Sequence, residues 1–170
     1  MKEAGYHFSL AKPDGDETFP LSMNPIEVPK YLAYKKAESL IKLLSEDNII
    51  MTADTVVILK NEILNKPADR TEALEMLTQL SGQKHKVITA VCLRDKSKVD
   101  CFDDATDVTF RNLSAQELEF YVDTCQPFDK AGAYGAQDWI GMIGIEKIEG
   151  SYFTVMGLPM HKVYTHLQKF

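Results

Sequence analysis

The stretch that most constrains the fold is residues 49–67, an apolar run interrupted by a carboxylate. Asp54 and Thr55 lie in the middle of this run, and a second short apolar pair leads directly into Lys66 and Pro67. A strand residue that faces a core is normally apolar, because burying an unpaired carboxylate costs several kcal/mol or more. Asp54 therefore either marks a strand end that faces solvent or belongs to a functional site.

The composition predicts one soluble globular domain over residues 1–170. A chain of 170 residues is long enough to bury about 70% of the surface that its unfolded form exposes. No apolar run approaches the ~18 residues that a membrane helix needs, and no charged leader with an apolar core is present, so we expect a cytoplasmic protein without a membrane partner. The net charge of −6 argues against nucleic-acid binding, which requires a basic face.

The three cysteines, Cys92, Cys101 and Cys125, are odd in number and have no C-x-x-C spacing. This pattern favours free, mostly buried thiols over a disulfide framework or a zinc site.

Hydrophobic periodicity and capping signals predict alternating helices and strands, hence an α/β fold with a mixed, twisted sheet flanked by helices. Apolar residues three and four apart indicate helices, whereas β-branched runs indicate strands. In order, the first predicted elements are a short strand at 6–10, a helix at 30–45 and a hairpin that turns at Lys60-Asn61. A helix then runs from an Asp69 capping box to Gly82, and strands follow at 87–93 and 99–110, the second with an interruption at Asp103-Asp104. The last elements are a helix after a Ser114 capping box, a strand at 140–148 and a helix after Pro159.

Several familiar catalytic motifs are absent, including a phosphate-binding P-loop, a G-x-G-x-x-G strand–helix turn, H-E-x-x-H and G-x-S-x-G. The four histidines are scattered, and each favours a structural role; His85, between a helix stop and a strand, is the least easily dismissed. What remains is a set of polar residues at element ends: Glu17, Lys36, Asp54, Thr55, Lys66, Lys130 and Gln137. Carboxylates and ammonium groups together suit a phosphate ester and a divalent cation, although a solvated charged surface explains the same residues.

Five ordered blocks of sequence carry a specific resemblance to a known family. They are residues 53–57 (Ala-Asp-Thr-Val-Val), 64–67 (Leu-Asn-Lys-Pro), 80–91 (Leu-Ser-Gly followed by His-Lys-Val-Ile-Thr-Ala-Val), 129–137 (Asp-Lys-Ala-Gly-Ala-Tyr-Gly-Ala-Gln) and 150–159 (Gly-Ser-Tyr and Gly-Leu-Pro). From about Gly5 onward, the sequence resembles the Maf-like nucleoside triphosphate pyrophosphatases.

The resemblance implies an α/β fold related to that of the inosine triphosphate pyrophosphatases, usually as a homodimer. It also implies hydrolysis of a nucleoside triphosphate to the monophosphate and pyrophosphate, with Mg²⁺ or Mn²⁺ as cofactor. The Ala-Asp-Thr form of the central motif is similar to the branch that acts on dTTP and UTP, so a pyrimidine triphosphate is the expected substrate, including some modified bases.

The resemblance also implies a role for each candidate residue. Asp54 matches the proton acceptor that activates water, and Lys66 and Lys36 match phosphate-binding lysines. Thr55 and Gln137 fall at positions associated with substrate choice. Glu17 matches an acidic loop that helps to hold metal or substrate, so the implied metal ligands are Asp54 and Glu17.

The sequence departs from the family pattern at its start. Family members begin with a strand and a Ser-x-Ser-Pro-Arg-Arg loop that grips phosphates, whereas residues 1–6 resemble the end of the first helix and the strand after it. We therefore expect a domain without that strand and loop. Three explanations are open: a start codon assigned too far downstream, a short form that catalyses poorly, or a nucleotide-binding or dimerising protein without turnover. A smaller departure is Thr154, where the family often has Asn.

Overall fold

The core of the protein is a five-stranded sheet. The structure, a computed structural model, describes residues 1–14 and 17–170. The sheet order is β2-β1-β3-β4-β5. The strands are β1 Ile50–Leu59, β2 Glu62–Leu64, β3 Lys84–Arg94, β4 Val99–Phe110 and β5 Ile145–Glu149. The predicted helix-flanked sheet is confirmed, and each pair of neighbouring strands in the described residues is antiparallel rather than mixed.

Six α-helices surround the sheet in the described part of the chain. They are α1 Val28–Ser39, α2 Arg70–Leu80, α3 Ala115–Cys125, α4 Trp139–Gly144, α5 Tyr152–Val155 and α6 Met160–Leu167. Short 3-10 turns lie at Lys2–Ala4, Ile41–Leu43 and Ala131–Ala133. None of the helices within residues 1–14 and 17–170 is long and apolar enough to cross a membrane.

The alternation of side chains along β1 shows that α1 covers one face of the sheet and that α2 and α3 pack on the other. Alternate side chains of a strand point to opposite faces. Val56 and Ile58 pack with Val28 and Leu32 of α1, whereas Val57 packs in a cluster with residues of α2 and α3. Asp54 therefore shares the face that α1 covers, and Thr55 shares the opposite face.

The predicted turn and the predicted helix starts at Asp69 and Ser114 are confirmed, but only Ser114 has a complete capping box. Lys60 and Asn61 have φ values of 50° and 70°, as the tight turn of a two-residue hairpin requires. Ser114 and Glu117 form a complete capping box at the start of α3. The Asp69 side chain accepts from the backbone N–H of Glu72, while the Glu72 carboxylate accepts from the backbone N–H of Ala68.

Three predictions of strand structure are wrong. Residues 140–144 belong to α4, and only 145–149 form a strand, because a short apolar run does not distinguish a buried helical turn from a buried strand. The Asp103-Asp104 pair does not interrupt β4, since both residues continue the pairing with β3. Residues 6–10 contain no strand.

The prediction of free thiols is wrong for two of the three cysteines. Cys92 of β3 and Cys101 of β4 lie directly opposite each other in the antiparallel ladder and form a disulfide. Such opposite residues bring their Cβ atoms close together. Cys125, in the last turn of α3, is a free thiol.

Candidate active site

A cleft beside the middle of β1 brings together five of the six predicted site residues. It has a volume of about 250 Å³, and its wall includes Asp54, Thr55, Lys36, Lys66 and Gln137. A second cavity of about 410 Å³ shares Asp54, Thr55 and Lys66 with the first. The sixth predicted residue, Glu17, lines this second cavity. Residues that are 120 positions apart in the sequence thus border one continuous depression.

Four of these residues form an unbroken chain of ion pairs. The Lys36 Nζ atom lies 2.5 Å from Asp54 Oδ1 and 2.9 Å from Glu17 Oε1. The other carboxylate oxygen of Glu17 lies 3.0 Å from Lys66 Nζ. The side chain of Asp54 is 10% exposed, whereas those of Glu17 and Lys66 are about half exposed. The chain of alternating charges therefore runs from a buried carboxylate to the open surface.

The register between α1 and β1 explains why Lys36 meets Asp54. Thr52 donates its hydroxyl hydrogen to the backbone carbonyl of Ala33, with an oxygen–oxygen distance of 2.6 Å. Lys36 lies one helical turn beyond Ala33, and Asp54 lies two strand residues beyond Thr52 on the same face. The hydroxyl bond thus pins the helix to the strand at the position that aligns the ammonium with the carboxylate.

Burial and charge shift the pKa values of Asp54 and Lys36 in opposite directions. Burial raises the pKa of the Asp54 carboxyl above its ordinary value, and the ammonium of Lys36 limits that rise. Burial lowers the pKa of Lys36, but the carboxylates of Asp54 and Glu17 more than offset it, so the pKa of Lys36 is raised. Hydrogen bonds from Lys36 and then Lys66 lower the pKa of Glu17. A carboxylate with a raised pKa is a stronger base than an ordinary surface carboxylate.

Lys130, another residue of the predicted polar set, also lines the cleft. Its ammonium lies 2.9 Å from the carboxylate of Asp129. Lys36, Lys66 and Lys130 together place three cations around a small volume, although the chain as a whole carries a net charge of −6. Since Asp54 and Asp129 belong to the same wall, three lysines face two aspartates, and this excess of one positive charge suits an anionic ligand better than the overall charge would predict.

On the opposite face of the sheet, Thr55 belongs to a network of hydroxyl groups. Its Oγ1 lies 2.9 Å from Oγ1 of Thr89, its partner on β3. Thr89 donates to the backbone carbonyl of Thr154 at 2.7 Å. Thr154 is fully buried, and its own hydroxyl donates to Asp104. Gly157 lies close to the Thr55 hydroxyl, since a Cβ atom at Gly157 would stand 3.3 Å from it.

Sequence reasoning did not identify Thr89 and Asp104 as part of this site. Thr89 lies within a run of β-branched residues typical of a buried strand, and nothing in the run singles it out. Only the antiparallel register, which places Thr55 opposite Thr89 and Thr89 opposite Asp104, makes the connection visible.

The donor set suits a divalent cation only in part. No group of three or more carboxylate, histidine or cysteine side chains with metal-binding geometry occurs in residues 1–14 and 17–170. Asp54 and Glu17 nevertheless share the Lys36 ammonium. Mg²⁺ commonly takes only one or two protein carboxylates and completes its shell with water and substrate phosphate oxygens. The number and type of these ligands therefore suit such a cation, while the Lys36 ammonium lies between the two carboxylates in this structure.

His85 is a core residue beside the cleft rather than a member of it. It is 3% exposed, and its Nε2 lies 2.8 Å from the hydroxyl of Tyr134, which lines the cleft. Phe110 and Tyr134 both contact the His85 ring edge to face. Burial lowers the pKa of His85 from 6.5 to about 4, so the imidazole is neutral at pH 7.

This shift predicts an acid-sensitive fold. Because His85 binds its proton more weakly when folded, the unfolded state takes up the proton first as the pH falls from about 6.5 to about 4. The free energy of unfolding should therefore decrease across this range by about 3 kcal/mol from His85 alone. Urea unfolding at several pH values measures the loss. H85Q should flatten the dependence of the unfolding free energy on pH, whereas H7Q, at an exposed histidine, should leave this dependence as it is in wild type. The same pH dependence in H85Q and in wild type would refute the assignment of the loss to His85.

Comparison with known proteins identifies the family. A family model described as Maf-like protein matches residues 1–170. The dTTP/UTP pyrophosphatase of Bacteroides fragilis is 45% identical over 157 residues, which cover 92% of this chain and 81% of that protein. The protein of the same name from Porphyromonas gingivalis is 44% identical over 162 residues, or 94% of this chain and 81% of that protein.

A third relative extends the match along almost the whole chain. The dTTP/UTP pyrophosphatase of Flavobacterium psychrophilum is 44% identical over 167 residues, which cover 98% of this chain and 86% of that protein. The family model spans the cleft and all five strands that position it. With a full-length family match and relatives at this identity, the chain belongs to the Maf-like protein family.

Proposed function

We propose that the chain hydrolyses dTTP and UTP to the corresponding monophosphate and pyrophosphate. The observation that carries the proposal is the buried Asp54 carboxylate, held at 2.5 Å from the Lys36 ammonium in a cleft with two further lysines. The relatives named dTTP/UTP pyrophosphatase support the same activity and the same substrates.

Asp54 acts in this proposal as the proton acceptor for the attacking water. Its raised pKa strengthens it as a base, and general base catalysis by a positioned side chain contributes about 10²–10⁴-fold to a rate. The water oxygen forms a bond to the α-phosphorus, the anhydride bond between the α- and β-phosphates breaks with pyrophosphate as the leaving group, and the proton goes to Asp54.

Lys36 and Lys66 oppose the negative charge of the substrate phosphates. Both ammonium groups are held by Glu17 and so stand on the same side of the cleft. Thr55 and Gln137 line the cleft and contribute to the choice of base. A bound Mg²⁺ or Mn²⁺, held by Asp54 and Glu17, would neutralise phosphate charge during the reaction.

Turnover of a nucleotide panel tests the proposal. The purified chain is incubated with dTTP, UTP, CTP, ATP and GTP in the presence of Mg²⁺, and pyrophosphate is measured. Rapid release from dTTP and UTP is expected. Calorimetric binding of UTP without pyrophosphate release would instead show a nucleotide-binding protein that does not turn over its ligand.

The proposed metal site predicts a dependence on divalent ions. Chelation with EDTA should abolish pyrophosphate release, and added Mg²⁺ or Mn²⁺ should restore it. E17Q should raise the Mg²⁺ concentration for half-maximal rate severalfold, because it removes one charged ligand. The control is E75Q, at an exposed carboxylate of α2, which should behave as wild type. Full activity in EDTA would contradict the metal assignment.

We further propose that residues 1–170 act as one domain, that the protein works as a homodimer and that it resides in the cytoplasm with its substrates. Exposed aromatic side chains on α5, Tyr152 and Phe153, support self-association. Analytical ultracentrifugation distinguishes a dimer of about twice 19.2 kDa from a monomer.

A further inference from the structure

The hydroxyl network behind Thr55 has only one consistent direction. A backbone carbonyl has no hydrogen, so Thr89 must donate its single hydroxyl hydrogen to the carbonyl oxygen of Thr154, 2.7 Å away. Thr89 Oγ1 then has no hydrogen left for Thr55. The 2.9 Å bond between the two hydroxyl groups must therefore be donated by Thr55 and accepted by Thr89.

This direction fixes what Thr55 offers to a ligand. A threonine hydroxyl has one hydrogen and two lone pairs. With its hydrogen committed to Thr89, the Thr55 hydroxyl presents only an acceptor to the cleft that it lines. The anchor is firm, because Thr89 and Thr154 are both fully buried and Asp104 holds the hydroxyl of Thr154.

The surroundings of Thr55 suit a nucleobase rather than a phosphate. Asp54 and its ion pairs lie on the sheet face that α1 covers, whereas Thr55 lies on the opposite face. The cleft wall includes the apolar residues Val155 and Met156 together with Gly157, which lies close to the Thr55 hydroxyl. An apolar wall with few oriented polar groups is typical of a site for a small ring.

We propose that Thr89 is a positioning residue that keeps the Thr55 hydroxyl an acceptor, and that the cleft thereby selects pyrimidines with a ring N–H donor over cytosine. The inference rests on the proposed function and deepens it. Uracil and thymine carry a hydrogen on N3, whereas N3 of cytosine is itself an acceptor. An acceptor facing cytosine N3 leaves two lone pairs opposed, and an unmade hydrogen bond in a desolvated site is costly.

The test compares UTP with CTP in matched variants. In T89V the Thr55 hydroxyl loses its acceptor and is free to donate to cytosine N3. The ratio of kcat/KM for UTP to that for CTP should fall about tenfold, the equivalent of one hydrogen bond. T89S retains the hydroxyl and should restore the wild-type ratio. T52V removes another buried threonine hydroxyl bond, the one that aligns Lys36 with Asp54, so it should lower the rates for UTP and CTP alike and keep their ratio.

Two further measurements keep the inference separate from the proposed activity and from folding. Calorimetric affinities for UTP and CTP in the presence of Ca²⁺ report the same ratio even if the chain has no turnover. T55V replaces only a partly exposed cleft residue, and it should also lower the ratio for UTP to that for CTP. The inference is overturned if the ratio of UTP to CTP is unchanged in folded T89V or in T55V, or if this ratio falls in T89S. If the chain binds neither nucleotide, both the inference and the proposed function are overturned.

Discussion

Replacement of Asp54 by asparagine is expected to lower kcat for pyrophosphate release from UTP by about 10²–10⁴-fold, the usual contribution of a general base. Asparagine has nearly the same shape but cannot accept the proton of the attacking water. The wild-type rate should also fall as the pH drops through the pKa of Asp54, and burial places this pKa above the ordinary value of 3.8. Steady-state pyrophosphate release measures both effects.

The D54N variant should remain folded. Since burial disfavours the ionised carboxyl, removal of that charge should not reduce the free energy of unfolding, and Lys36 keeps its ion pair with Glu17. The matched control is D103N, which changes a more exposed carboxylate of β4 outside the cleft. A D54N protein that is folded and as active as D103N would refute the role of Asp54.

Replacement of Lys36 by methionine is expected to have the second large effect. Lys36 is the main cation that lowers the pKa of Asp54, so its loss leaves the effect of burial opposed only by the weaker influence of Lys66. The acid limb of the rate profile should therefore move to higher pH, and kcat/KM should fall because a phosphate-binding charge is lost. The free energy of unfolding at pH 7 should decrease by about 3 kcal/mol, since a largely buried carboxylate is left unpaired.

A lysine on the same helix provides the control for K36M. Lys30 pairs with Asp103 at 3.6 Å, and both side chains are 40–49% exposed. K30M should therefore cost less than about 1 kcal/mol and leave the pH profile unchanged. Rate profiles and urea unfolding of both variants give the comparison. An acid limb in K36M that coincides with that of wild type would show that Lys36 does not set the basicity of Asp54.

Local chemistry explains which parts of the fold could be predicted from the sequence. The Lys60-Asn61 turn and the Ser114 cap depend on neighbouring residues alone, and both are correct. The failures depend on partners distant in sequence. Residues 140–144 are apolar enough for a strand, but they form the helix α4, from which Ile140 packs into the cluster with α2 and α3.

In the candidate site, too, features that depend on neighbouring residues are predictable from the sequence, whereas those that depend on distant partners are not. Asp54 is conspicuous because a carboxylate inside an apolar run requires a reason, and the family resemblance predicts Lys36, Lys66 and Glu17 as its companions. The ion pair with Lys36 on α1, which limits the rise that burial causes in the pKa of Asp54, depends on helix–strand register. Thr89 could not be recognised, since a threonine in a β-branched strand is ordinary until its cross-strand partner is known.

In the proposed reaction, Asp54 and its lysines serve the hydrolysis of a pyrimidine triphosphate to the monophosphate and pyrophosphate. The most direct test is product analysis of UTP incubated with the purified chain and Mg²⁺, by phosphorus NMR and chromatography. We expect the wild-type protein to form UMP and pyrophosphate in equal amounts, and D54N to form them at a greatly reduced rate. Formation of UDP and inorganic phosphate, or unchanged UTP after prolonged incubation with the folded protein, would contradict it.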